Sequence, residues 1–289
     1  MTECLVCGQN NVKLGFVFRH YEVWICNHCG FQWLQPQPND EELAKIYSED
    51  YFLADKNDSE TVYALKRSTA HLYLDQLLKI AHSKKDEIHP KSLLEIGCGM
   101  GDFLIEAQAN GFKVSGLEVT DYLVQLANQR LGSECVEKGS IETSNYETGA
   151  FDIIVFFDVI EHVRNPELFL SKVNELLKAS GKVYIVTPSL DSWSARLMGK
   201  YWMEYKVEHL SYFNQASLRN LLKKTGFHNI MFFPNYKILN IDYIYRHFVR
   251  FHVKGLTPLL SVVRKLTPHK LAYMPIRLIA SGVAVIAEK

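Results

Sequence analysis

The stretch LLEIGCGMGDFL, residues 93–104, decides the fold of this protein. It starts as an apolar run that contains one acid, Glu95, and it passes through three glycines into a segment that begins like a helix at Asp102. Glycines let backbone approach a ligand closely, and the N-terminus of the following helix offers unpaired N–H groups. The stretch therefore predicts a strand, a ligand-binding turn and a helix in succession.

Strands and helices alternate from residue 91 to about residue 189. The apolar runs KVSGLEV, FDIIVFFDVI and KVYIVTPS have the length of buried strands, and the segments between them show helical periodicity. This alternation predicts an α/β fold with a parallel, doubly wound sheet. Such sheets bind ligands beyond the carboxyl ends of the strands, where the strand order reverses, so the glycines of residues 97–101 should line that crevice.

A second acid indicates what the ligand contains. Glu118 ends the second predicted strand, 19 residues after Gly99, near the spacing at which a carboxylate accepts hydrogen bonds from ribose hydroxyls. The ligand is therefore expected to contain an adenosine-like ribose. A tight strand-to-helix turn beside an unrelated surface acid is the alternative.

The N-terminal segment carries two C-x-x-C pairs, CLVC and CNHC, separated by 18 residues. This spacing is typical of a tetrahedral, structural zinc site of the ribbon type, in which a glycine after each pair permits the tight turn. Residues 1–38 are therefore predicted to form a zinc ribbon with the ligands Cys4, Cys7, Cys26 and Cys29. A disulfide pair, a thioredoxin-like redox motif, or His28 in place of one cysteine ligand are the alternatives. We expect Cys98 and Cys135 to be ordinary buried thiols.

The composition excludes several classes of protein. With 47% hydrophobic and 22% charged residues the chain can bury a core, which excludes a disordered protein. Its formal net charge of zero gives no general attraction to nucleic acid, which we do not expect as a partner. The sequence shows no secretory signal and no stretch long enough for a membrane span, so a cytoplasmic location is expected. Residues 39–90 have helical patterns and are predicted to form a lid or linker.

The glycine motif distinguishes two kinds of nucleotide-binding fold. Dinucleotide folds usually show G-x-G-x-x-G, whereas EIGCGMG has the form E-x-G-x-G-x-G. This form resembles the first motif of the class I S-adenosylmethionine-dependent methyltransferases. The stretches FDIIVFFDVIEHVRNPELFLSKVNELLKASGKVYIVTPS and EHLSYFNQASLRNLLKKTGF resemble later segments of the same family, so that the likeness covers residues 91–233. It implies a Rossmann-like, doubly wound seven-stranded sheet in residues 91–289, next to the small N-terminal zinc ribbon.

The resemblance also implies which residues bind the cofactor, S-adenosyl-L-methionine. The glycine motif would surround its methionine portion, Glu118 would hold its ribose, the segment after the third strand would lie against its adenine, and Asp158 would border its methyl group. The residues expected to bind it are Glu95, Gly97, Cys98, Gly99, Gly101, Glu118, Val119, Ser140, Ile141 and Asp158. Relatives commonly place an acid opposite the adenine amine, whereas this sequence has Ser140 there and Glu142 further on.

Catalysis should require few protein groups, because a sulfonium methyl is already activated and in-line positioning supplies most of the rate. A base is needed only when the acceptor must lose a proton. The candidate bases are His162 and His209, and the segment YKVEHLSYF places Tyr205 and Glu208 near His209. A neighbouring carboxylate can orient an imidazole and raise its basicity. Structural roles for both histidines are the alternative.

The predicted ribbon narrows the resemblance to a smaller group of methyltransferases. Two C-x-x-C pairs, the stretch QPQP, and a tyrosine-rich segment with Tyr47 and Tyr51 look like bacterial methyltransferases of sugar, cell-surface glycan or natural-product pathways. That resemblance implies a small-molecule acceptor from glycan or natural-product biosynthesis. An RNA base methyltransferase with a zinc module, and a cofactor-binding protein without enzymatic activity, are the alternatives.

Residues 236–278 are predicted to form a basic, amphipathic helical insertion. Between Tyr243 and Ala287 the chain has no acidic residue and seven basic ones: Arg246, Arg250, Lys254, Arg264, Lys265, Lys270 and Arg277. Such a segment can rest on an anionic membrane at its inner face, or contact a phosphate-bearing acceptor linked to a nucleotide or a lipid. Helices that pack over the active site with their charges in water are the alternative.

Overall fold

The computed structural model describes residues 3–46, 59–81, 91–251 and 256–289. Tyr47, Tyr51 and Lys254, which the sequence singled out, lie outside the described residues, as does much of the predicted lid or linker. The described part contains two β-sheets, and helices cover both faces of the larger one.

The N-terminal segment forms a small antiparallel sheet. Its first three strands are β1 (Val12–Phe18), β2 (Tyr21–Cys26) and β3 (Gln32–Gln35). Two helices follow, α1 (Asp40–Ile46) and α2 (Ser59–Ala81).

The larger sheet has seven strands. They are β4 (Ser92–Ile96), β5 (Lys113–Glu118), β6 (Val136–Lys138), β7 (Phe151–Phe157), β8 (Leu177–Pro188), β10 (His228–Leu239) and β11 (Ile276–Glu288). Their order across the sheet is β10-β11-β8-β7-β4-β5-β6. The chain order therefore reverses between β4 and β7, and the loops that follow these two strands face each other at the crevice.

One strand corrects the expectation of a parallel sheet. The five strands from β6 to β8 are parallel, but β11 is antiparallel to both β8 and β10. After β10 the chain passes through helices and re-enters the sheet at the same end, so the returning strand must run the opposite way. The sheet is mixed, and the expectation of seven strands is confirmed.

The remaining helices lie between these strands. They are α3 (Asp102–Ala109), α4 (Asp121–Leu131), α5 (Pro166–Leu176), α6 (Trp193–Met198), α7 (Gln215–Lys224), α8 (Ile241–Phe251), α9 (Leu256–Leu266) and α10 (His269–Ala272). One face of the larger sheet packs against α5 and α7, and the other packs against α2, α3 and α4. None of the helices in the described ranges combines the length and the hydropathy that a membrane crossing requires.

The small sheet does not end with the ribbon. Its fourth strand is β9 (Ser211–Tyr212), which pairs with β3 through Trp33 opposite Ser211 and Gln32 opposite Tyr212. Phe31 and Trp33 are buried in the core that also contains α5 and α7. The ribbon is therefore built onto the segment that carries the predicted catalytic residues.

Candidate functional site

The turn after β4 has the conformation that its glycines predicted. Gly97, Gly99 and Gly101 have φ values of 69°, 53° and 75°, in the left-handed region that favours glycine. A Cβ at Gly97 would lie 2.7 Å from Val159 Cγ2, so close packing against the loop after β7 requires this glycine. A Cβ at Gly99 would have no heavy atom of the described residues within 4 Å. Gly99 therefore faces open space.

Glu118, at the end of β5, is held against this turn. Its Oε2 accepts a hydrogen bond from the backbone N–H of Gly99 at 2.9 Å, and its Oε1 accepts from the N–H groups of Val119 and Thr120 at 2.8 and 3.1 Å. A carboxylate offers about four lone-pair sites, so the side chain can accept a further donor such as a hydroxyl. The structure thus brings together the glycine motif and the acid that follows it by 19 residues.

Glu95, the acid within β4, is buried below the turn. Its Oε2 has no hydrogen-bond partner in the described part of the chain. Burial, reinforced by the negative charges of Asp102 and Glu118, raises the pKa of Glu95 well above its usual value. A cationic group bound nearby would offset the free-energy cost of ionising this buried side chain, because it would favour the carboxylate form.

The other predicted cofactor residues lie around the same turn. Cys98 is buried, and its sulfur packs against Gly116 of β5. A Cβ added at Gly116 would lie only 2.9 Å from the Sγ of Cys98. Val119 is exposed, and Ile141 is fully buried. The N–H of Ser140 donates to Thr143 Oγ1 at 3.1 Å, and the preceding Gly139 donates to the carbonyl of Glu118, so this loop lies beside the end of β5.

Asp158 has an ion-pair partner that the sequence did not predict. It follows β7 with a left-handed φ of 55°, and its Oδ2 lies 2.8 Å from Nζ of Lys237 on β10. Burial disfavours the charged form of Lys237, but Asp158, together with the nearby Tyr73 and Glu204, outweighs it and the pKa of the ammonium is raised. Because 79 residues separate the two side chains, no local pattern in the sequence could indicate the pair.

The candidate catalytic residues come from two elements that meet. Glu161 and His162 lie in a 3₁₀ turn after β7, and Leu210 donates its N–H to the carbonyl of Glu161 at 2.8 Å. The ring centroids of His162 and His209 are 4.7 Å apart, and His162 Nδ1 lies 2.8 Å from the carbonyl oxygen of Glu208. The two histidines, predicted as separate candidates, are therefore neighbours. Burial lowers the pKa of both imidazoles.

Tyr205 contacts the ribbon. Its hydroxyl donates to Gln32 Oε1 at 2.7 Å, and its ring makes an edge contact with Phe16 at a centroid distance of 4.8 Å. Burial raises the pKa of the Tyr205 hydroxyl to about 12. This side chain thus links the segment that contains His209 to the small sheet.

The four cysteines of the ribbon form one cluster, with no disulfide among them. Their sulfur atoms all lie within 4.8 Å of one another, and the Cys4–Cys29 and Cys7–Cys26 pairs are 3.7 and 3.6 Å apart. Four thiolates at ~2.3 Å from a tetrahedral Zn²⁺ are separated by about 3.8 Å, so this arrangement fits the ion. The glycines after the two pairs, Gly8 and Gly30, have φ values of 69° and 73°, as the knuckle turns require. His28 is exposed and is not part of the cluster.

The predicted metal ligands are therefore brought together, and the cluster is consistent with a zinc site. The hydrogen bond to Cys4 and burial together raise the pKa of Cys29. Without a cation, four thiols this close cannot all ionise, because each thiolate opposes the next.

A family model described as "Methyltransferase domain" matches residues 65–231, which is more than half of the chain. The chain belongs to this family. Together with the sheet order and the glycine turn, the match shows that the chain contains a class I S-adenosylmethionine-dependent methyltransferase domain.

Two curated relatives and one solved structure illustrate the similarity. The chain is 23% identical over 151 residues to a ubiquinone biosynthesis O-methyltransferase of Rickettsia conorii, covering 50% of this chain and 52% of the relative. It is 26% identical over 166 residues to phosphoethanolamine N-methyltransferase 2 of Caenorhabditis elegans, covering 54% of this chain and 37% of the relative. The chain thus spans about half, or less, of the length of these relatives.

The solved structure is a SAM-dependent methyltransferase from Archaeoglobus fulgidus. It superposes with a TM-score of 0.51 at 18% identity, over 83% of this chain and 99% of that one. At this identity the likeness shows the fold.

Proposed function

We propose that this methyltransferase transfers the methyl group of S-adenosyl-L-methionine to a small-molecule acceptor, an intermediate of sugar, glycan or natural-product biosynthesis. The observation that carries the cofactor assignment is the 2.9 Å hydrogen bond from Gly99 N–H to Glu118 Oε2. It fixes a carboxylate with remaining acceptor capacity against a glycine turn that faces open space. The two curated relatives are named for ubiquinone biosynthesis and for phosphoethanolamine, which supports a small acceptor, one of them bearing a phosphate.

The cofactor is assigned to the crevice between the loops after β4 and β7. Glu118 would accept a hydrogen bond from a ribose hydroxyl, and the carboxylate of Glu95, whose Oε2 has no partner in the described part of the chain, would balance the cationic methionine portion. Ser140, in the loop beside the end of β5, would lie against the adenine, with the fully buried Ile141 packed in the core beneath it. Asp158 then lies on the side where the methyl group is transferred.

The acceptor is assigned to the side formed by the 3₁₀ turn after β7 and the segment 205–212. His209 and His162 would anchor the reacting group of the acceptor, since both lie beyond Asp158 and contact each other. Glu208 and Tyr205 would position this segment, Glu208 through its carbonyl and Tyr205 through Gln32 of the ribbon. The ribbon, with a structural Zn²⁺ on its four cysteines, would hold the acceptor side in place.

The helices after β10 are assigned to a peripheral membrane contact. Helix α9 exposes large apolar side chains, with Leu259 58% and Leu266 79% exposed. Lys265 belongs to the same helix, and Lys270 follows in α10. Basic side chains beside exposed apolar ones favour an anionic bilayer surface, to which a lipid-linked acceptor would be attached. Not all of the basic charge is available, because Arg264 and Arg246 both pair with Asp242.

Four measurements test these assignments. Isothermal titration calorimetry with S-adenosylhomocysteine should show binding, and transfer of a labelled methyl group should be detected on nucleotide-linked or lipid-linked sugars, or on natural-product phenols and alcohols. No binding of S-adenosylhomocysteine would refute the cofactor assignment, and transfer to RNA alone would refute the acceptor class.

Replacement His209→Ala should abolish turnover while S-adenosylhomocysteine still binds. Sedimentation with anionic vesicles at low salt should be lost in Leu266→Glu, and no sedimentation of the wild type would end the membrane proposal.

A further inference from the structure

Three side chains on the acceptor side form a cluster that the sequence did not indicate as a metal site. Glu161 and His162 come from the 3₁₀ turn after β7, and His209 comes from the loop before β9. One ligand atom of each residue lies within 4.8 Å of the ligand atoms of the other two. We propose that Glu161, His162 and His209 bind a divalent transition-metal ion, which anchors an oxygen atom of the acceptor.

Two buried atoms of this cluster have no hydrogen-bond partner in the described part of the chain. They are Oε1 of Glu161 and Nδ1 of His209, whose side chains are only 2% and 4% exposed. Buried polar atoms are almost always paired, and an orphaned atom indicates a missing ion or water. A carboxylate oxygen and an imidazole nitrogen that face the same space are ligands a metal ion would satisfy together.

The contacts around the cluster are those that hold metal ligands in place. Glu161 Oε2 accepts a hydrogen bond from the Thr187 hydroxyl at 2.9 Å, which orients the carboxylate and leaves Oε1 for the ion. His162 Nδ1 lies 2.8 Å from the Glu208 carbonyl, and when Nδ1 donates this hydrogen bond the lone pair is on Nε2. Metal-bound histidines commonly donate their second nitrogen to a carbonyl in this way.

The two neighbouring lysines form ion pairs with carboxylates outside this cluster. Lys237 pairs with Asp158 at 2.8 Å, and Lys206 pairs with Glu204 at 3.1 Å. Among the described ion pairs, Glu161 has none with a lysine or arginine. The carboxylate of Glu161, next to His162 and His209, therefore favours a cation at this position.

The donor set indicates which ion would bind. Two imidazole nitrogens and one carboxylate oxygen suit Zn²⁺, Mn²⁺, Fe²⁺ or Co²⁺ better than Mg²⁺, which prefers oxygen ligands. Ligand atoms lie ~2.0–2.2 Å from such ions, so the three side chains need to close by less than about 1 Å. Three protein ligands leave coordination positions open for the acceptor.

This inference rests on the proposed methyl transfer and specifies its acceptor as a hydroxyl compound. A metal ion lowers the pKa of a bound hydroxyl, whose proton leaves to solvent. The oxygen then forms a bond to the methyl carbon as the carbon–sulfur bond breaks, and that electron pair stays on the sulfur, which becomes a neutral thioether. His209 would act as a metal ligand in this reaction.

The test uses the zinc-loaded protein and Mn²⁺ as the probe, because Mn²⁺ does not favour the four thiolates of the ribbon. Calorimetry or electron paramagnetic resonance should show one Mn²⁺ bound per chain. Affinity should fall at least about tenfold in Glu161→Gln and His209→Ala, and also about tenfold in Thr187→Val, which only orients a ligand. The control is His71→Ala, because His71 also lies near two carboxylates, Glu106 and Asp75, but on the surface of α2, and its Mn²⁺ affinity should be unchanged.

Two outcomes would overturn the inference. One is that neither Mn²⁺ nor Co²⁺ nor Zn²⁺ binds beyond the ribbon site in the wild type, and the other is that both ligand variants bind Mn²⁺ like the wild type. Titration with S-adenosylhomocysteine separates this failure from failure of the proposed function, since cofactor binding without metal binding rejects only the metal site. The same titration shows that each variant is folded.

Discussion

Gly99→Ala tests whether the open space above the glycine turn is the cofactor site, and Gly132→Ala is its matched control. Both glycines are left-handed, with φ values of 53° and 68°, and at neither would a Cβ meet a heavy atom of the described residues within 4 Å. Gly132 ends α4, where its N–H donates to the carbonyl of Asn128 at 2.9 Å; the preceding Arg130 and Leu131 contact the glycine turn, whereas a Cβ at Gly132 would point away from its neighbours into open space. The two substitutions therefore impose the same local conformational penalty.

The magnitude of each effect follows from this comparison. A left-handed alanine costs ~1–2 kcal/mol, and the loss of glycine freedom in the unfolded chain offsets ~0.4–1 kcal/mol of it. Both variants should thus lose about 1 kcal/mol of stability, which lowers the melting temperature by roughly 2–4 °C. Only in Gly99→Ala does the new methyl group enter the ligand space, where overpacking costs ~1–3 kcal/mol. Its affinity for the cofactor should fall about 5- to 150-fold.

Differential scanning calorimetry measures the first effect, and isothermal titration with S-adenosylhomocysteine measures the second. Equal melting temperatures with a loss of affinity in Gly99→Ala alone are expected. Wild-type affinity in Gly99→Ala would show that the ligand does not approach this turn. An equal loss in both variants would show that affinity merely follows stability.

Three further results are expected. Cys26→Ser, which removes a ligand of the ribbon site, should lower turnover on the order of a hundredfold by misplacing the acceptor side; calorimetry should show an S-adenosylhomocysteine affinity that changes much less. Glu118→Gln should weaken that affinity by ~1.5–3 kcal/mol, the worth of hydrogen bonds to a charged group, and an unchanged dissociation constant would exclude the ribose role. Burial raises the pKa of Glu95 in the folded state, against ~4.3 in the unfolded chain. The protonated side chain therefore contributes fully to stability below pH ~4.3, and this contribution is lost as the pH rises through the folded pKa. Urea unfolding should therefore show Glu95→Gln gaining stability relative to the wild type as the pH rises above ~4.3, and a constant difference would contradict this assignment.

The features that could be predicted from the sequence are those with local causes. The left-handed turn at Gly97, Gly99 and Gly101 follows from residues that tolerate positive φ, and the central parallel strands follow from short apolar runs between helical segments. The cysteine cluster follows from two short spacings, each closed by a glycine. In each case the residues that decide the structure lie within a few positions of one another or repeat one pattern.

Strand direction and contacts between distant side chains depend on how the chain connects and places its strands and loops, and not on a local pattern. The direction of β11 is set by the connection that precedes it, so its apolar sequence predicts a strand but not an antiparallel one. Strand β9 has two residues, too few to show a periodicity, although it joins the ribbon to the rest of the protein. The contact between His162 and His209 and the pair of Asp158 with Lys237 require that several strands and loops first be placed.

The way in which the ribbon is attached would separate the proposed acceptor side from the proposed cofactor site. Glu118 and the glycine turn are held by parallel strands of the larger sheet, and their hydrogen bonds involve no ribbon residue. By contrast, the segment around His209 is fixed to the ribbon on both sides, through Tyr205 to Gln32 and through Asn214 to the carbonyl of the metal-cluster residue Cys29 at 3.0 Å. Loss of a metal ion from the four ribbon cysteines would therefore reach the proposed acceptor side directly, and the proposed cofactor side only through the common core. A ribbon that merely stabilised the whole fold would weaken both functions together.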